Sequence, residues 1–348
     1  MKIKEFNSRK VLIFRHGSLG DTVVALPCFH LIAKAFPDSE RRLLTSLPTS
    51  DKAVSPSEIL NETELIHHSM TYFPKGWNTE KLFRLREEIK KWAPDVLIYL
   101  AEPRGSISPW RDTLFFKWCG IKRLIGVPYT KDLRENRWLP AQNSFEHESE
   151  RLARCLSILG DVCVQDSKNW DLRLTDEEYE SASRYLDGWR GKDNFIVSSV
   201  TAKVKIKDWG KDNWSRLFNR LSQACPHLGL IVVGGEADAE ESAEIIQAWK
   251  GPVLNLCGRL TPRQTAAAMK RALIYLSQDS GPMHLAAAMG IPCAAIFVAC
   301  TKPGVWFPYG EGHKVICPPT NGRGIAHVNV EEVFKEVLSL IQGRLIHQ

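Results

Sequence analysis

The sequence predicts an α/β protein built from two doubly wound domains, each a parallel sheet covered by helices on both faces. Three observations carry this prediction. Short β-rich apolar runs alternate with segments of helical period, and strand–helix alternation makes parallel sheets buried on both sides. The alternation occurs twice, with a break near 160–192, where "VCVQDSKNWDLRLTDEEYE" leads into a polar helix and the turn-rich "DGWRGKDN". The length, 348 residues, suits two domains of about 150 residues each. A linker around 165–175 then separates domain 1–170 from domain 171–348.

In chain order, the first half offers strands at 11–15, 42–46, 96–100 and 124–127, with helices at 21–36, 79–92 and 146–159. The second half offers strands at 195–199, 228–233, 273–277 and 292–297, with helices at 214–225, 237–249 and 262–271. A last helix at 329–342 is expected to be able to pack back across the boundary.

Composition narrows the class. A hydrophobic fraction of 44% is that of an ordinary globular protein. Net charge is +6, from 46 basic and 40 acidic residues. That suits an anionic substrate or membrane surface and does not call for nucleic acid. Nine cysteines, an odd number with no C-x-x-C spacing, read as reduced thiols of a cytoplasmic protein. The start "MKIKEFNSRKVLIF" has no secretory pattern, and no run of about 18 apolar residues is present to span a membrane.

Open α/β sheets bind ligands at the carboxyl ends of their strands, so motifs are sought there. After the first strand, "RHGSLGDTVVALP" holds a glycine turn, Gly17, Ser18 and Gly20, and places Asp21 at a helix start. Asp21 is either a cap for the first-turn N–H groups or a general base presented to a ligand. The turn is neither a Walker loop nor a G-x-G-x-x-G fingerprint.

"SQDSGPMHLAAAMG" is the second motif. Pro282 suits a first helical turn, Asp279 or Ser280 can cap it, and Gly281 clears the backbone amides for a ligand. A helix N-terminus is a ready anion site, and His284 adds a donor beside it. A capped helix with a core histidine is the plainer reading. Two further strand ends contribute. "VTAKVKIKDWG" places Lys203, Lys205 and Lys207 where a lysine can neutralise a phosphate or line a solvated loop. "VVGGEAD" places Glu236 where an acid can accept from ribose hydroxyls or complement a helix dipole.

Several features read as structural. Asp238, Glu240, Glu241 and Glu244 read as a solvated helix face. His67 and His68 lack metal-ligand company, and "HESER" is not H-E-x-x-H. "KGWNTEKLFRLREEIKKW" reads as a packed amphipathic surface helix, with a membrane-facing role as the minority option.

Together, "GSLGDTVVALPCFHLIAKAFPD", "KDWGKDNWSRL", "QDSGPMHLAAAMGIPCAAIF" and "TKPGVWFPYG" resemble, in order, the motifs of glycosyltransferase family 9, the heptosyltransferases of bacterial lipopolysaccharide synthesis. The resemblance implies the GT-B architecture, two facing Rossmann-like domains, the first for acceptor and the second for donor. It implies inverting, metal-independent transfer with no cofactor, from a nucleotide-sugar co-substrate, ADP-heptose, to a hydroxyl of a lipopolysaccharide-core or related lipid-linked glycan acceptor. It assigns Asp21 as base, Lys207 to phosphate, Glu236 to ribose, Leu260 to a backbone contact with the nucleobase, and Asp279, Ser280, Gly281 and His284 to the donor turn. It also implies a cytoplasmic location compatible with peripheral contact at the inner membrane. Val298 and "VACTKPG" depart from the family's usual glycine and G-P-T-x-P. Family members with another donor, a GT-B nucleotide-sugar epimerase and a silent binding module remain alternatives. A nicotinamide dehydrogenase is disfavoured by the missing glycine fingerprint.

Overall fold

The computed structural model, which describes residues 8–46, 54–72, 79–191, 193–298, 302–318 and 324–346, divides the chain into two units. The first is Met1–Arg173 with Gly304–Trp306, and the second is Leu174–Pro303 with Phe307–Gln348.

The first unit begins β1 (Lys10–Phe14), α1 (Leu19–Val24), α2 (Leu26–Ala35), β2 (Glu40–Ser46), α3 (Pro56–Leu60), β3 (His68–Tyr72). It continues α4 (Thr79–Trp92), β4 (Val96–Tyr99), α5 (Ser108–Trp118), β5 (Arg123–Ile125), α6 (Lys131–Arg134). A short antiparallel hairpin, β6 (Trp138–Leu139) and β7 (Ser144–Phe145), precedes α7 (Glu148–Cys155). The five-stranded sheet runs β3-β2-β1-β4-β5, all parallel. Leu12, Phe14, Leu97 and Tyr99 pack from this sheet onto Ile89, Trp92 and Phe116.

The expected helix 21–36 is two helices. Pro27 has no N–H to donate to Val23, and its ring would press on that carbonyl, so the chain turns at Ala25 (φ −88°, ψ −1°). The stretch around "HESER" is also resolved. His147 caps α7 by accepting from Ser149 N at 3.2 Å, and Glu148 and Arg151 form a buried ion pair at 2.6 Å. Removing either partner of such a pair leaves an uncompensated buried charge, at a cost of about 3–5 kcal/mol.

The second unit contains α8 (Asp176–Leu186), β8 (Phe195–Ser199), α9 (Lys211–Ala224), β9 (Gly229–Val232), α10 (Ala239–Ile245), β10 (Val253–Asn255). It ends α11 (Pro262–Met269), β11 (Tyr275–Gln278), α12 (Gly281–Ala288), β12 (Cys293–Ile296), β13 (Lys314–Ile316), α13 (Val330–Ile346). Its six-stranded parallel sheet runs β10-β9-β8-β11-β12-β13. The last helix, expected to be able to cross the boundary, lays Val333, Val337 and Ile341 into this unit's core with Trp214, Phe218 and Ile316.

Strands β3, β10 and β13, absent from the sequence reading, are all sheet edges. In β3 only Met70 is buried, so its "HSMTY" shows no apolar run. The central strands β1, β4, β8 and β11 are covered on both faces and were legible for that reason.

Both sheets reverse direction beside their first strand. In the second unit the order is that of a dinucleotide-binding fold, third-second-first-fourth-fifth-sixth, and the switch falls between β8 and β11. In the first unit it falls between β1 and β4. Loops leaving these strands diverge and open a crevice, which is where a ligand can reach backbone and side chains together.

Candidate functional site

At the switch point of the first unit, β1 is followed by Arg15, which is buried and holds the corner together. Its Nη1 donates to Leu100 O at 2.6 Å beyond the end of β4, and its Nη2 donates to Asp21 O in α1. Gly17 then turns the chain at φ +127°. Asp21 reaches back from α1, its Oδ2 accepting from Ser18 N at 2.6 Å and from Ser18 Oγ at 3.1 Å. The capping reading of Asp21 is therefore realised through one oxygen. Oδ1 has no partner among the described residues. Gly20, read from the sequence as part of the turn, lies inside α1, and Gly17 alone takes the left-handed backbone.

His16, which the sequence reading passed over, faces the same corner. Its Nδ1 is buried with no hydrogen-bond partner among the described residues. Burial first, and then the charges of Arg15, Arg104 and Arg111, press its pKa down to about 4 against a partial upward pull from Asp21. The imidazole is thus neutral in the physiological range. It lines a pocket with Phe14, Tyr72, Glu102, Arg104, Arg111 and Asp112, an apolar hollow that carries two basic and two acidic side chains. A polar pair "RH" directly after an apolar strand was the available signal: polar side chains at that point must be either buried with partners or presented to a ligand.

The second unit assembles its candidates around β8, β9 and β11. The loop after β8 carries Lys203 and Lys205 on the outside and turns Lys207 inward, where its Nζ meets Asp279 Oδ2 at 2.5 Å. Trp209 anchors this loop. It is fully buried, stacks edge-on against Trp214 at 4.9 Å, and donates Nε1 to Val328 O at 3.0 Å. Gln278, at the end of β11, was also missed from sequence. Its buried amide accepts from Trp209 N at 3.1 Å and donates to Val200 O at 3.3 Å, so it clamps the β8 loop to the β11 end. One glutamine in an apolar strand was its only sequence signal.

Ser280 occupies the N-cap place of α12 with extended backbone (φ −146°, ψ 157°), yet its hydroxyl caps nothing. It lies instead 3.4 Å from Ser199 Oγ and 3.5 Å from Ser277 Oγ, in a hydroxyl cluster completed by Tyr275, whose OH donates to Ser199 Oγ at 2.6 Å. Asp279, the other expected cap, is taken up by Lys207. The first turn of α12, Gly281 included, therefore has no side-chain cap, and a helix start in that state keeps its N–H donors and partial positive charge for an anion. His284 is buried in that turn.

After β9, the turn is closed by Asp238 and not by Glu236: Asp238 Oδ2 accepts from Gly235 N at 2.9 Å. This corrects the placing of Asp238 on a solvated face. Glu236 is exposed; its backbone carbonyl accepts from Ala239 N, and its carboxylate makes no hydrogen bond or ion pair among the described residues. It is flanked by Gly258, at φ +73°, where a Cβ would lie 2.8 Å from Glu236 Cα. Leu260 is half-buried against Ala182, Ala267 and Ala268. His67 and His68 sit apart from all of this. His67 Nδ1 accepts from Arg41 N at 2.9 Å. No cluster of metal-ligating side chains and no helix long and apolar enough to cross a membrane is found among the described residues.

A model of one protein family matches residues 130–332: glycosyltransferase family 9 (heptosyltransferase). Among curated proteins, the chain is 26% identical over 170 residues to lipopolysaccharide heptosyltransferase 3 of Escherichia coli, covering 47% of this chain and 48% of that one. It thus spans about half the length of that relative. It is 22% identical over 319 residues to a lipopolysaccharide core heptosyltransferase of Haemophilus influenzae, covering 88% of this chain and 84% of that one. Among solved structures, a glycosyl transferase family 9 protein from Veillonella parvula superposes with TM-score 0.74 at 19% identity, over 98% of this chain and all (100%) of that one. The E. coli heptosyltransferase WaaC with ADP superposes with TM-score 0.65 at 16% identity, over 95% and 99%. These likenesses agree on the GT-B fold class.

Proposed function

Because the chain belongs to glycosyltransferase family 9, the heptosyltransferases, we propose that this glycosyltransferase moves a heptose from ADP-heptose to a hydroxyl of a lipopolysaccharide-core glycan, with inversion and without a metal. The observation that carries this reading is the ion-paired Lys207 beside the uncapped start of α12, at the switch point of a dinucleotide-type sheet. A nucleoside diphosphate leaving group develops negative charge as the sugar–phosphate bond breaks. A positioned cation and free helix N–H groups stabilise that charge most where water is excluded.

In the second unit, Lys207 and the Ser280–Gly281 turn hold the diphosphate, His284 supports that turn, and the free carboxylate of Glu236 accepts from ribose hydroxyls. Leu260 lies beside the base. In the first unit, Asp21 is the general base. The acceptor oxygen attacks the anomeric carbon, the bond to the diphosphate oxygen breaks on the opposite face, and the hydroxyl proton passes to Asp21. The unpartnered Oδ1 is free for that role while Oδ2 fixes the rotamer. Arg104 and Arg111, set beside Glu102 and Asp112 in the lining of the first-unit pocket, offer donors to a glycan. A lipid-anchored acceptor of this kind brings the protein to the cytoplasmic face of the inner membrane.

The test is a thermal-shift panel of ADP-, GDP-, UDP- and dTDP-sugars, followed by turnover with lipopolysaccharide-core acceptor in the presence and absence of a chelator. We expect ADP-heptose to give the largest stabilisation and ADP release to require acceptor but not metal. Donor turnover without acceptor would mark an epimerase or hydrolase, and strong binding with no transfer to any acceptor a binding module. Loss of transfer on chelation, restored by added metal, would remove the metal-independent mechanism.

A further inference from the structure

Helix α5 turns an apolar face outward. Ile107, Trp110, Leu114 and Trp118, spaced i, i+3, i+7 and i+11, lie along one side of it and are 77%, 56%, 71% and 44% exposed. Its inward side carries Ser108, Pro109 and Phe116. Phe83 of α4, 51% exposed, extends the face by packing edge-on against Trp118 at 5.1 Å. Scattered exposed apolar residues need no explanation, but a contiguous apolar stripe does.

The charge around the stripe identifies its partner. At 100° per residue, Arg111 and Lys117 fall on the two flanks of the apolar arc, and both are exposed. Residues 104–123 carry Arg104, Arg111, Lys117, Lys122 and Arg123 against one acid, Asp112. That acid is turned away, accepting from Tyr99 OH at 2.8 Å and from Arg111. Arg86 of α4 lies over the Trp118 ring at 4.5 Å. Tryptophans at the level of the headgroups, aliphatic side chains below them and basic residues at the sides are the pattern of a helix lying in a bilayer interface.

We infer that α5 is a membrane-docking helix, which lays Ile107, Trp110, Leu114 and Trp118 into the interface of an anionic lipid bilayer while Arg111 and Lys117 contact its phosphates. Helix α5 has 11 residues, so the contact is about 16 Å long. This extends the reading of a lipid-anchored acceptor, but docking needs neither donor nor acceptor, so it is measured without them and can fail independently of the transfer reaction.

The experiment is co-sedimentation of the full chain with vesicles of phosphatidylethanolamine and phosphatidylglycerol, and with vesicles of phosphatidylcholine. The wild type should bind the anionic vesicles, bind phosphatidylcholine more weakly, and lose affinity as salt is raised. Trp110→Glu with Leu114→Glu should reduce binding at least about 10-fold. Lys117→Glu should reduce it about 5-fold or more. Ile158→Glu, at another exposed apolar residue (52%), should leave it unchanged. Circular dichroism melting confirms that each variant is folded. No binding by the wild type, or equal binding by the Trp110/Leu114 variant, overturns the proposal. So does a wild-type dimer that becomes monomeric in that variant without loss of vesicle binding, which would assign the face to a second copy of this chain.

Discussion

Lys207 Nζ and Asp279 Oδ2 meet at 2.5 Å between the loops that follow two adjacent parallel strands, β8 and β11. The lysine side chain keeps 36% of its exposure and the aspartate 11%, so the cation stays reachable while its position is set from below. This arrangement makes Asp279 a positioning residue for Lys207. Lys207→Ala should weaken ADP binding by at least about 10-fold in calorimetry, the scale of one charge-assisted contact. In that background Asp279→Asn should add no further loss, because its effect passes through the lysine. A further 10-fold loss in the double variant would mean that Asp279 contacts the nucleotide itself.

Asp21 caps its own turn and is also the proposed base, and the two roles separate experimentally. Asparagine retains an acceptor for the Ser18 N–H, so Asp21→Asn should melt close to the wild type. It cannot take up a proton, so turnover should fall at least about 100-fold while ADP affinity is retained. Turnover near the wild-type rate would leave Asp21 as a cap only.

Gly17 tests the same carboxylate from outside. A Cβ there would lie 2.5 Å from Asp21 Cβ and 2.7 Å from Asp21 Oδ2, on a backbone with φ +127°. Gly17→Ala should therefore cost about 1–3 kcal/mol of stability and push Asp21 off its rotamer. We expect kcat to fall with little change in ADP affinity. A stable variant with normal kcat would show that the placing of Asp21 is not needed.

Gln278 has no proposed contact with substrate, yet it holds the loop that carries Lys207. Gln278→Leu would leave Trp209 N and Val200 O without their buried partner. A loss of about 1–3 kcal/mol in denaturant melts is expected. Nucleotide affinity should fall more than kcat. Unchanged affinity would detach the clamp from the phosphate site.

The pKa of His16 predicts a pH dependence. Its folded value is about 4, against an ordinary value of 6.5. Between these limits the unfolded chain binds the proton and the folded chain does not. The contribution to stability is thus fully present above pH 6.5 and is lost progressively as pH falls toward 4. A nuclear magnetic resonance titration of the imidazole should have its midpoint near 4, and His16→Gln should lose less stability on acidification than the wild type. A midpoint above 6 would mean that the ring is solvated.

Much of the fold was legible because central parallel strands are buried on both faces. Phe195–Ser199 reads as β-rich apolar sequence and is a strand over the same residues, and the amphipathic Thr79–Trp92 is a helix over the same residues. The edge strands β3, β10 and β13 escaped because they are short or partly exposed and show no long apolar run, with one buried residue in β3, none in β10 and one in β13. Helix α5 escaped for the opposite reason. It is apolar outside as well as inside, so it has no amphipathic period to detect, and the same property underlies the docking proposal.

By itself, the sequence determined the α/β class, the two successive sheets, the family, and the positions of the glycine turn, the lysine loop and the Asp-Ser-Gly turn. The class, the sheets and the turn positions follow from local period and local spacing, and the family follows from the resemblance of the motifs. Only the tertiary structure decided what each side chain does there. Asp238 and not Glu236 closes its turn, Asp279 holds Lys207 and leaves α12 uncapped, and Arg15 and Gln278 tie strands that are far apart in the chain. The physical reason is that a hydrogen bond or ion pair depends on a distance of about 3 Å, and strand order, which local sequence does not encode, sets which residues come that close.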